Sequence, residues 1–253
     1  MEEKVYFTNA SGKRLVGIID RDDSKTTQGV VIILGGFNSY KYSVKQEFLR
    51  DTFNAFGFAT FRFDYQGRGD SEGNIEHSTI STGLEDVRAA VDYIRNQLWV
   101  KLDNIGLFGS EYGSALAILE VSKNKFFKFL VLTSPRPEFE SFYDDADIDE
   151  WRKNDFYHTK GLNLHISLHD DMEQYDILNE AKRITIPTLV ITAEGEEVRE
   201  LGQDKRLKRV MKNILIRVVE KCNNLYCSDN KEQVFGFIKE WLEEKCLIRK
   251  KSD

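Results

Sequence analysis

The sequence predicts an α/β fold built on a mostly parallel sheet, and three observations carry that expectation. Strand-like apolar runs alternate with stretches of helical periodicity along most of the chain. The run Val30-Val31-Ile32-Ile33-Leu34 is apolar throughout and closes on Gly35-Gly36, the mark of a strand buried on both faces. A pair of short β-type runs joined by a turn cluster opens the chain. Strand-helix alternation implies parallel strands joined by crossover helices.

Each element follows from local pattern. Residues 4–8 and 14–20 flank Asn9-Ala10-Ser11-Gly12-Lys13 and read as an antiparallel hairpin. After the strand at 30–34, residues 44–56 read as a helix and 58–63 as the next strand. Leu84, Val87, Val91, Ile94 and Leu98 recur at helical spacing and predict an amphipathic helix. Strands at 105–108 and 129–132 enclose a helix after Gly113; strands at 188–191 and 214–219 enclose a helical stretch at 198–211. A last helix carries Val234, Phe235, Ile238, Trp241 and Leu242. Between Ser134 and Arg183 the rhythm lapses into an aromatic and acidic stretch including Phe139, Phe142, Tyr143, Asp144, Asp145 and Asp147. An insertion of this length reads as a lid, so the expectation is one domain over 1–253 with a cap insertion at about 135–182.

Composition narrows the function. The 253 residues, 41% of them hydrophobic, suffice for one large core. The formal charge of −6 comes from 42 acidic and 36 basic residues without a basic stripe, which argues against nucleic acid as a partner. No charged start leads into an apolar run and no 18-residue apolar run occurs, so neither export nor a membrane span is expected. Cys222, Cys227 and Cys246 lack metal-ligand spacing and read as reduced thiols of a cytoplasmic protein. Neither a metal nor another cofactor is expected, and oligomeric state stays open.

The chemistry-bearing motif is Gly109-Ser110-Glu111-Tyr112-Gly113, set between an apolar run and a helix-forming one. That context is the frame of a nucleophile elbow, G-x-S-x-G, with glutamate in the nucleophile's seat. Gly69-Asp70-Ser71-Glu72-Gly73 matches the same pattern literally, yet no helix follows it directly, so Ser71 reads as part of a structural loop. Ser110 and Ser114 flank the elbow apex and read as structural.

Four landmarks in order support a family resemblance: Gly35-Gly36-Phe37 after the first buried strand, the segment from Phe61 to Ser71 containing Asp64-Tyr65-Gln66-Gly67-Arg68-Gly69, the elbow, and Ile186-Pro187-Thr188-Leu189-Val190-Ile191. The chain resembles the α/β-hydrolase superfamily, and within it the small-cap esterases of the feruloyl-esterase and acylglycerol-lipase kind. The resemblance implies the α/β-hydrolase fold, a mostly parallel eight-stranded sheet with helices on both faces. It also implies a serine, an acid and a histidine in that chain order. Glu111 takes the serine position, and Glu196, with Glu194 and Glu197 as neighbouring alternatives, takes that of the acid. Asn224 takes the histidine position. An anion hole would come from the backbone N–H groups of Phe37 and Tyr112.

The absence of a base can be read without alignment. All four histidines, His77, His158, His165 and His169, precede residue 170, and asparagine cannot take up a proton near neutral pH. The leading expectation is therefore a non-hydrolytic, small-molecule-binding or regulatory pseudoenzyme. The alternative is altered chemistry, with Glu111 as general acid/base or carboxylate nucleophile on an acyl or related small-molecule substrate. A helix N-terminus would favour Glu111 as an anion filling the anion hole, whereas burial near Glu196 would raise its carboxyl and make it a proton donor. Leu162, Leu164, Ile166 and Leu168 alternate with polar residues, which predicts a cap strand placing His165 and His169 on one face. Those histidines are candidates to meet Glu111, or with Asp170 or Asp171 to hold a metal.

Overall fold

The computed structural model describes residues 1–138, 148–159, 161–227 and 230–248. The turn cluster at 9–13 lets β1 (Glu2–Thr8) and β2 (Arg14–Asp20) pair antiparallel, with Thr8 opposite Arg14. Then come β3 (Gln28–Leu34), α1 (Val44–Ala55), β4 (Ala59–Asp64), α2 (Ile80–Arg95), β5 (Val100–Ser110), α3 (Tyr112–Lys123) and β6 (Phe127–Thr133). Between β6 and the return to the sheet stand α4 (Ile148–Asn154), the hairpin of β7 (Phe156–Thr159) and β8 (Leu162–His165), α5 (Ser167–Met172) and α6 (Ile177–Ala181). The chain closes with β9 (Thr188–Ala193), α7 (Glu197–Glu200), α8 (Gln203–Val210), β10 (Ile214–Val219) and α9 (Lys231–Glu244).

Eight strands form one sheet in the order β1-β2-β4-β3-β5-β6-β9-β10. Only the β1–β2 and β2–β4 pairings are antiparallel. Strand β3 shows why both faces are covered: side chains alternate across a sheet, and every one in this strand is apolar from Val30 onward. Val30, Ile32 and Leu34 join Leu84, Val87 and Leu116 of α2 and α3 on one side. Val31 and Ile33 join Leu49 and Phe53 of α1 and Ile238 and Trp241 of α9 on the other. The Ser43 hydroxyl caps α1 by accepting from the Gln46 N–H, and Thr79 with Thr82 forms a capping box on α2.

Three expectations are corrected. Leu98 does not belong to the amphipathic helix; α2 ends at Arg95 with Asn96 as its C-cap, and Leu98 is 99% exposed. The stretch 198–211 is two helices, α7 and α8, separated at Gly202, whose φ of 70° is left-handed. The cap strand also stops early. His165 ends β8, while His169 lies in α5, where Leu168 and Met172 are buried at i, i+4 spacing; the two histidines therefore do not share a strand face. Phe139, Phe142, Tyr143, Asp144, Asp145 and Asp147 lie outside the described residues.

Ser71 is structural, as the loop reading expected. Its hydroxyl donates to the Asp64 carbonyl at 2.7 Å and accepts from the Val16 N–H at 2.9 Å, tying the 64–71 loop to β2.

Candidate functional site

The elbow between β5 and α3 forms because two glycines let backbone pass backbone. A Cβ on Gly113 would lie 2.5 Å from the carbonyl oxygens of Leu34 and Gly35, and one on Gly109 would lie 2.5 Å from that of Gly113. At the apex, Glu111 has φ 52° and ψ −115°, a conformation that L-residues rarely adopt. Hydrogen bonds hold it there: the Glu111 N–H donates to the Thr133 carbonyl at 3.1 Å, and the Ser114 N–H and hydroxyl donate to the Glu111 carbonyl.

This geometry presents the Glu111 side chain to a cavity of about 640 Å³ at the carboxyl ends of the strands. Its lining also includes Gly36, Phe37, Lys45, Ser134, Glu196, Asn224 and Tyr226. The structure thus brings together Glu111, Glu196, Asn224 and Phe37, residues distant in sequence. Tyr112, by contrast, turns its ring into the core, its hydroxyl donating to the Thr79 carbonyl at 2.6 Å, and only its backbone belongs to the elbow.

Lys45, in the first turn of α1, dominates the electrostatics. Its ammonium donates to Glu111 Oε1 at 2.9 Å and to the Ser110 hydroxyl at 2.9 Å, and it lies 5.0 Å from the centroid of the Tyr226 ring. Ser110 is therefore more than a structural neighbour, although neither it nor Ser114 lines the cavity. Across the elbow, the Glu111 carboxylate faces Gly36, where a Cβ would come within 3.1 Å of Oε2. The lysine and the N-terminus of α3 both bring positive charge to the Glu111 carboxylate.

Glu196 follows β9. One carboxylate oxygen accepts from the Ser134 hydroxyl at 2.8 Å and the other from the Ala193 N–H at 3.1 Å. Burial pushes its carboxyl above the ordinary value and the charge of Glu111 adds to that, while the two hydrogen bonds work against it. Asn224 is held in its loop: Oδ1 accepts from the Tyr226 N–H at 2.9 Å, and its carbonyl accepts from Asn230 Nδ2 at 2.9 Å. The Tyr226 hydroxyl meets Thr133 Oγ1 at 2.8 Å, and burial raises its pKa.

The loop carrying Phe37 is clamped by Arg68. Its Nε donates to the Phe37 carbonyl at 2.5 Å and its guanidinium lies 4.4 Å from the centroid of that ring. Nη1 donates to the Gln66 carbonyl and the Ser78 hydroxyl, which anchors the clamp to the 64–71 loop and the lead into α2.

Lys45, Ser134, Tyr226 and Arg68 were not anticipated from sequence. A lysine beside a helix start reads as a solvated charge, and nothing local in the sequence marks Lys45 otherwise. The cap histidines stand apart from the cavity. His165 packs 4.8 Å from the His77 ring with Nδ1 2.9 Å from the Ser167 hydroxyl, and no histidine lines the cavity among the described residues. His169, Asp170 and Glu173 could place ligand atoms within 4.8 Å of one another; His165 and Asp171 are not in that group, and Arg152 already holds Asp170 at 2.7 Å.

Comparison with known proteins places this frame. A family model described as serine aminopeptidase, S33, matches residues 25–142. Est1E from Butyrivibrio proteoclasticus, with ferulic acid bound, superposes with a TM-score of 0.85 at 20% identity, over 96% of this chain and 99% of that one. GrgF from a Penicillium species, an α/β hydrolase, superposes with a TM-score of 0.82 at 16% identity, over 97% and 99%. The chain has the α/β-hydrolase fold. Among curated relatives, the human mitochondrial palmitoyl-protein thioesterase ABHD10 is 36% identical over 62 residues, 24% of this chain and 20% of the relative. The match thus spans about a fifth of that relative's length. No helix among the described residues is long and apolar enough to cross a membrane.

Proposed function

We propose that the chain is a non-hydrolytic α/β-hydrolase-fold protein that binds a small molecule in the elbow cavity, having lost the serine and histidine of the ancestral esterase site. The observation that carries this reading is the Glu111–Lys45 ion pair at the elbow apex. A carboxylate held at 2.9 Å by an ammonium is a poor nucleophile, and it stands where an attacking hydroxyl would be. Asn224, in the base position, cannot accept a proton. Without nucleophile and base, the function lies in the pocket itself.

A second reading rests on Glu196. Its raised carboxyl beside a second carboxylate is the pattern of a paired acid and base, so altered chemistry with Glu111 as the charged partner is the alternative. One measurement tests what both readings share, and a second separates them. Purified protein is expected neither to cleave short acyl-nitrophenyl esters nor to label with a fluorophosphonate; robust labelling refutes the loss of the serine-hydrolase machinery. Metabolite pools incubated with the protein are expected to show bound species without turnover. Turnover that disappears in Glu111→Gln favours the alternative.

A further inference from the structure

A second cavity of about 640 Å³ lies at the opposite end of the sheet, among the amino ends of the strands. It is walled by the loop before β3, the turn from α1 into β4, Asn104 of β5 and one side of α9. Phe235, Lys239 and Glu243 recur every four residues and form one stripe of that helix. Val234, Ile238, Trp241 and Leu242 of the same helix are the residues buried against the sheet. The stripe is therefore not what holds α9 in place.

The lining is amphipathic. Phe56 and Phe235 meet with ring centroids 4.8 Å apart and stay half-buried, and Phe58, Leu247 and Ile248 extend the apolar wall. Two ammonium groups stand with them. Lys25 Nζ lies 3.8 Å from where a Cβ on Gly57 would be, and Gly57 lines the cavity. Its carboxylate partner, Asp22 at 3.5 Å, is outside the lining. Lys239 reaches Glu243 only at 4.0 Å, the limit of ion-pair range. Within the lining itself two ammonium groups stand against one carboxylate. A cavity of this size, with apolar walls and a few charged groups, is in the range of small-molecule sites.

We propose that this cavity binds a single-chain amphipathic carboxylate of the fatty-acid class, with its hydrocarbon against Phe56, Phe58 and Phe235 and its carboxylate at Lys25 and Lys239. Charge complementarity selects the anion, and the aromatic wall selects the chain. The site is separate from the elbow cavity and does not depend on the absence of hydrolysis there.

The test uses sodium decanoate, titrated into the protein by calorimetry and by amide NMR. Saturable binding is expected, with shifts concentrated at residues 55–58 and 235–248. The double variant Lys25→Met/Lys239→Met, at side chains 43% and 45% exposed, keeps the fold and is expected to weaken decanoate about tenfold. Three results overturn the proposal: no saturable binding up to low millimolar decanoate, equal binding by decyltrimethylammonium or by the double variant, or shifts centred on residues 36–45 and 111–114.

Discussion

Acid titration of Asp86 tests the support beneath the Phe37 loop. Asp86 is fully buried on α2, where its carboxylate accepts from Asn9 Nδ2 at 2.7 Å and from the Gln66 N–H at 2.7 Å. Burial pushes the carboxyl from 3.8 up to about 6, although those hydrogen bonds and the charge of Arg68 act in the opposite direction. With the folded value above the unfolded one, the native state binds the extra proton in that window, so this group's contribution falls as pH rises through it. The whole change is about 3 kcal/mol, of which about 2 kcal/mol falls between pH 4.5 and 7.5. Other carboxylates act oppositely: Asp70, held down to about 2 by Lys41 and Lys4, contributes stability that is lost as pH falls. Subtracting the unfolding free energy of Asp86→Asn from that of the wild type at each pH removes such common terms. The difference is expected to fall by about 2 kcal/mol from pH 4.5 to 7.5. A flat or rising difference, or a carboxyl carbon-13 titration of Asp86 with its midpoint below 4.5, refutes the reasoning.

Other outcomes follow from the elbow. Gly113→Ala puts a methyl against the Leu34 and Gly35 carbonyls and is expected to destabilise by about 1–3 kcal/mol in denaturant titrations. Lys45→Met is expected to cost under about 1 kcal/mol of stability, because the Glu111 side chain of the pair is 48% exposed; thermal unfolding checks it. The double change Glu111→Ser/Asn224→His, with Glu196 in place, is expected to create slow nitrophenyl acetate hydrolysis and fluorophosphonate labelling. No labelling at the introduced serine would mean that these residues do not occupy the positions assigned to them.

The sheet was legible because its strands are continuous apolar runs bounded by turns; β3 could be read from Val30 to Gly36 alone. The elbow was legible because glycines two residues either side of Glu111 admit few other geometries. Lys45 was not, since its role depends on α1 being laid across the mouth of the elbow, a tertiary fact without local signature. The histidines were misplaced because Leu162 and Leu164 have strand period while Leu168 and Met172 have helical period, and the change occurs at Ile166. Leu98 was miscounted because its spacing continues the helix past a cap that only the backbone reveals.

The left-handed backbone at Glu111 has a further consequence. Its hydrogen bonds to Thr133 and Ser114 and its passage between glycines involve main-chain atoms and small neighbours rather than the residue's own side chain. The fold therefore maintains this pose whatever group projects from it. Position 111 behaves as a socket: a side chain placed there is displayed between an ammonium, a helix N-terminus and an open cavity, so the group on show can be exchanged without rebuilding the protein.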